Sequence, residues 1–214
     1  MKLEKLSIFN TDNEIINGEM WVYQKKYEGH PFWKENVWYN GYVIYKGERF
    51  DSLALRYDIH SNDVIVFKKI MNEARVFKLN TQYLEKFALY DAALKDTVVF
   101  HYMNINENAG KAIYAKVYDG KCKYYIQYRK NINNIISDKY TGEYLFAPTL
   151  FAKIENDFVE FGSKSEFLDL FENQKSEVKK FMRQKRIKFK KQSPENLRIV
   201  FQYYDSLTAS ALNN

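Results

Sequence analysis

The densest chemical signal in the chain is "KKFMRQKRIKFKK", residues 179–191, which holds eight cations and no acid. Clustered lysine and arginine can hold phosphate, sulfate or an anionic membrane surface by charge alone. The candidates for that work are Lys179, Lys180, Arg183, Lys185, Arg186, Lys188, Lys190 and Lys191. Taking these eight charges from the net +6 leaves −2 for the rest of the chain, so the body of the protein is not itself basic. Domains that read nucleic acid usually spread their charge over a face, and most interleave it with exposed aromatics. Within the run, Phe181 and Met182 follow Val178 at helical spacing, which sends Lys179, Lys180 and Arg183 outward. The remainder, "RIKFKK", alternates, so Ile187 and Phe189 can anchor a short extended connection. Periodicity therefore favours a solvated helix face and its exit, with polyanion binding as the sharper alternative.

A second candidate is the aromatic cluster in "YQKKYEGHPFWKENVWYNGY". Trp33, Trp38, Tyr39 and Tyr42 on an exposed sheet face would stack on sugar rings or seat a protein partner. Because aromatics make up 17% of the chain, with 18 Tyr and 16 Phe, packing into a β core competes with that reading. The three histidines, His30, His60 and His101, lie far apart and match no metal-ligand spacing. Cys122 is the sole cysteine, so an intramolecular disulfide and a cysteine-built zinc site are excluded. Its place in an apolar alternation suits a buried, inert thiol. No nucleophile elbow, P-loop or dinucleotide fingerprint occurs, and no cofactor is expected.

The elements that must position these groups are mostly strands. Apolar residues make up 46% of the chain and charged residues 28%, as in a folded globular protein. Val43 and Tyr45 alternate before a Lys46-Gly47 turn, and Phe50, Leu53, Leu55 and Tyr57 follow it. "VIVFKK", "RVFKL" and "TVVFHYM" are further strands, with a less regular stretch before the last. "KAIYAKVYDGKCKYYIQYRK" predicts a hairpin closed by a tight Asp119-Gly120 turn with positive backbone angles. "TLFAKIE" and "FVEFG" form a weaker pair joined through Asn156-Asp157. From residue 163 the period becomes helical, with Phe167, Leu168, Phe171, Val178, Phe181 and Met182 on one side. A last helix follows, with Ser193 as N-cap, Pro194 in its first position and a stripe of Leu197, Val200, Phe201, Tyr204 and Leu207.

The fold expected is α+β, an antiparallel β-sheet or sandwich-like meander followed by C-terminal helices packed on it. Residues 1–36 form an N-terminal segment with a possible edge strand, 37–162 the β region and 163–214 the helical segment, in one compact domain. No apolar run is long enough for a transmembrane helix. The N-terminus lacks the unbroken apolar stretch of a signal peptide. The chain is then either cytoplasmic or a mature form whose leader has been removed.

The order of "WYNGYVIYKGERFDSLALRYDI", "GKAIYAKVYDGKCKYYIQYRK", a Lys-rich helix and "ENLRIVFQYYDSL" resembles an uncharacterised group of exported proteins from Bacteroidetes-type Gram-negative bacteria. The resemblance spans residues 37–207 and consists of turn and core residues, so it brings no site residues with it. It implies a periplasmic or outer-membrane-associated location; taken with the lack of catalytic signatures, it favours a non-enzymatic binding or structural role, with an envelope protein or glycan as partner. Two other functions stay open: a cytoplasmic nucleic-acid- or polyanion-binding module, and a carbohydrate-active or hydrolytic enzyme built on two distant carboxylates.

Overall fold

The computed structural model describes residues 16–21, 26–70, 73–93, 95–105, 111–135, 138–155, 157–191 and 193–211. Its first strands are β1 (Ile16–Met20), β2 (Tyr27–Glu28), β3 (Tyr39–Tyr45), β4 (Glu48–Asp58), β5 (Asp63–Ile70), β6 (Glu73–Leu79), β7 (Leu84–Asp91) and β8 (Asp96–Asn104). They are followed by β9 (Lys111–Asp119), β10 (Lys123–Gln127), β11 (Lys130–Asn134), β12 (Gly142–Phe146), β13 (Thr149–Ile154) and β14 (Asp157–Phe161). Three helices close the chain: α1 (Lys164–Asp169), α2 (Lys175–Gln184) and α3 (Arg198–Ala211). The protein is thus α+β, strand-rich and antiparallel, with its C-terminal helices packed on strands.

The chain divides into two compact units that do not follow its linear order. One joins Met1–Met103 to Arg129–Phe146, and the other joins Asn104–Tyr128 to Ala147–Asn214. In the first unit the strands lie in the order β1-β6-β5-β4-β3-β7-β8, each antiparallel to its neighbour. A second, small sheet pairs β11 with β12 and, in parallel, β12 with β2. The core of this unit is an aromatic stack. Phe87 and Phe100 lie face to face at 4.7 Å, Tyr57 meets both edge-on, and Trp33 meets Phe100 edge-on.

The Lys46-Gly47 turn forms as expected, with both residues at positive φ and Tyr45 paired to Glu48. That is the geometry a two-residue hairpin loop requires. The less regular stretch before β8 is in fact β7, an inner strand between β3 and β8. Phe87, Ala88 and Leu89 are buried in succession, so the alternation that marks a half-buried strand is missing there.

In the second unit β9, β10, β13 and β14 form an antiparallel sheet against which the helices pack. Tyr124 stacks on Phe201 at 4.8 Å, and Phe161, Phe167 and Phe171 complete an aromatic core. The helical period after residue 163 is broken into α1, a 3₁₀ turn at Glu172–Gln174 and α2, with Glu172 in the left-handed region. Ser193 precedes a 3₁₀ turn at Pro194–Leu197 and makes no capping bond through its side chain. Glu195 accepts instead from the Tyr128 hydroxyl.

The Asp119-Gly120 turn differs from expectation. Asp119 pairs with Lys123, leaving a three-residue loop, and neither Asp119 nor Gly120 takes a positive φ. A tertiary acceptor shapes this loop. The Asp205 carboxylate on α3 accepts from Lys121 N (2.7 Å), Cys122 N (3.2 Å) and the Tyr118 hydroxyl (2.8 Å). A Cβ on residue 120 would stand 2.0 Å from Asp205 Oδ2, so glycine is needed for this close approach.

Candidate functional site

The basic run forms one wall of a cleft in the second unit. Its scaffold begins at α1, where Ser163 and Glu166 form a reciprocal capping box that fixes the helix start and the adjacent Lys164. The motif "SKSE" carries that cap in the sequence. α2 turns Val178 and Met182 into the core, and its half-buried Phe181 stacks on Tyr203 of α3 at 4.0 Å. Ser176, Lys179, Lys180 and Arg183 therefore share the outward side.

The exit from α2 is a Schellman cap. Arg186 N donates to Arg183 O and Ile187 N donates to Met182 O, with Arg186 at φ 55°. Glycine is the ordinary occupant of that left-handed position, and an L-residue there costs about 1–2 kcal/mol. Beyond it residues 187–190 form neither helix nor strand. Half-buried Phe189 packs on Phe167 and Phe161, so Lys188 and Lys190 face solvent. The anchoring role expected for Phe189 is thus visible in its ring contacts.

Between these elements lies a cleft of about 650 Å³. Its charged lining is Lys164, Lys179, Lys180, Arg183, Arg186 and Lys188, over a floor that includes Met182 and Ile187, and no acid or aromatic lines it. Among the described residues none of these six cations forms an ion pair. An adjoining hollow of about 360 Å³ shares Arg186, Ile187 and Lys188 and adds Lys190 and Asn196. Lys185 is exposed but lines neither cavity. Lys191 lies toward Glu166, whose carboxylate is held below its usual range first by the backbone N–H groups of Gly162 and Ser163. Of the eight cations the sequence singles out, six line these cavities; Lys164 joins them from a distant stretch.

The aromatic candidates do not converge. Trp33 and Tyr39, at 1% and 8% exposure, are core residues packed on each other, so neither belongs to a stacking platform. Trp38 is half-buried with the Arg56 guanidinium 4.3 Å over its ring, and Tyr42 lies under Arg49 at 3.7 Å. The accessible rings thus each carry an arginine already.

His30 and His60 meet around a residue the sequence reading passed over, Lys130. Its Nζ donates to the His30 carbonyl at 2.7 Å, and its own carbonyl lies 2.9 Å from His60 Nδ1. Burial pushes the Lys130 amine down to about 8 against the attraction of Asp58 and Glu35. Burial also lowers His30, assisted by the Lys130 charge. Asp58 is buried and accepts from His60 N and Ser61 N, while burial raises its carboxyl above the usual range. His101 stands apart on β8, paired across the sheet with Lys86. Among the described residues no group of three His, Cys, Asp or Glu is arranged to hold a metal ion.

Cys122 lies in the β9–β10 loop, with its Sγ 3.0 Å from Asp205 Oδ1. Burial, then the neighbouring carboxylate, drives its pKa up, which keeps the thiol protonated and unreactive. No helix among the described residues is long and apolar enough to cross a membrane. Comparison with protein-family models, curated proteins and solved structures found no match to this chain.

Proposed function

We propose that the protein is a non-enzymatic binding protein for a multiply charged anion, held in the cleft beside α2. One observation carries this: six cationic side chains from three chain segments, none in an ion pair among the described residues, line a single cleft with no acid in its described lining. Like charges gathered at this density repel one another, so the arrangement is at its best when an anion fills it. The cavity is of a size that accepts small ligands. A binding role is favoured over catalysis because the described lining of the cleft holds lysine and arginine with no carboxylate, histidine or cysteine beside them to serve as general base or nucleophile.

The resemblance in strand and helix punctuation supports an envelope location for this activity. Recovery of the native protein in the envelope fraction of its cells tests that part, and recovery in the soluble cytoplasmic fraction would overturn it. Calorimetric titration of the full chain with tripolyphosphate tests the binding. Binding at low salt that weakens steeply as salt rises is expected, since each contact releases counterions. Absence of binding at low salt would remove the proposal.

A further inference from the structure

Building on the anion-binding reading, we infer that the cleft and the adjoining hollow form one track for a linear, base-free polyphosphate chain. The two cavities share Arg186, Ile187 and Lys188, so an anion leaving one enters the other across the same side chains. Past the left-handed cap at Arg186, the connector presents Lys188 and Lys190 two residues apart on its solvent side. Phe189, packed inward between them, keeps that spacing.

The linings also say what the ligand lacks. Among the described residues neither cavity has an aromatic side chain, so nucleotide bases would find no ring there on which to stack. Neither has an acid to accept from sugar hydroxyls or amines. The recognisable feature of the ligand is therefore repeated negative charge along a chain.

Length dependence tests this. Orthophosphate, tripolyphosphate, long-chain polyphosphate and oligo(dT) are titrated into the full chain at low salt, at matched phosphate concentration. Long-chain polyphosphate should bind about tenfold more tightly per phosphate than tripolyphosphate, through simultaneous use of both cavities. Lys190→Glu should weaken the long chain about fivefold and leave tripolyphosphate unchanged. Lys179→Glu, within the larger cleft, should weaken both. Equal affinity for short and long chains, or equal loss of both in Lys190→Glu, overturns the track while leaving a single anion site. Oligo(dT) binding as tightly as polyphosphate overturns the base-free assignment. Failure of every phosphate compound to bind removes the anion-binding reading itself. Unfolding midpoints of both variants verify that they fold.

Discussion

Lys130 in the first unit and the cations beside α2 in the second show two opposite fates of a positive charge. The Lys130 amine is half-buried, donates to a backbone carbonyl and sits among His30, Asp58 and Glu35. Removing it from water disfavours its charged form, and its hydrogen bond serves the fold. The cleft cations are solvated and, among the described residues, form no ion pair, so their charge is available to a ligand. Partnership and solvation, rather than the number of cations, distinguish a structural amine from a binding one.

The largest expected effect separates the two directly. The triple variant Lys179→Glu, Arg183→Glu, Arg186→Glu should lower tripolyphosphate affinity by about two orders of magnitude, at about 1 kcal/mol for each cation removed. Urea unfolding of the same variant should show no loss of stability, because the replaced charges repel one another. A large loss of stability would mean that these side chains hold the fold.

Asp205→Ala should act on stability and leave binding alone. It strips the acceptor from Tyr118, from two backbone amides and from Cys122, at about 2 kcal/mol in urea unfolding. Intact stability would show that the hairpin loop holds its shape without α3.

Lys130→Met should reveal a pH-dependent cost. The ordinary amine value is 10.5 and the folded value about 8, so between them the unfolded chain carries the extra proton. Stability from this group therefore rises with pH across that window, and the penalty is fully present below about 8. The variant's stability relative to the parent should be greater at pH 7 than at pH 10, by about 1 kcal/mol once the partial exposure of the amine is allowed for. A difference independent of pH would place the amine at its ordinary value.

The smallest effect sets stability against binding at one residue. Arg186→Gly relieves a left-handed L-residue, so the fold should gain about 0.5–1 kcal/mol while tripolyphosphate affinity falls about fivefold. Loss of both would show that the arginine side chain supports the turn.

Much of the second unit was legible in the chain. The period change after residue 163 announced the helices, and the spacing of Phe181 and Met182 set Lys179, Lys180 and Arg183 outward, whereas the capping box written in "SKSE" went unread. The first unit was less legible at its centre. β7 gave no alternation because its centre, Phe87 to Leu89, is buried on both faces, and the aromatic run left a surface platform and a packed core both open until Trp33 and Tyr39 were found in the core.

The sequence by itself determined the strand-rich class, the turn at Lys46-Gly47 and the solvated face of α2, because each rests on neighbours a few residues apart. Only tertiary structure decided which charges are free. Lys164 reaches the cleft from the start of α1, Asp205 reshapes a loop more than eighty residues earlier, and Lys130 meets His30 across a hundred. Periodicity reports only local faces; desolvation and charge pairing depend on what the folded chain brings alongside.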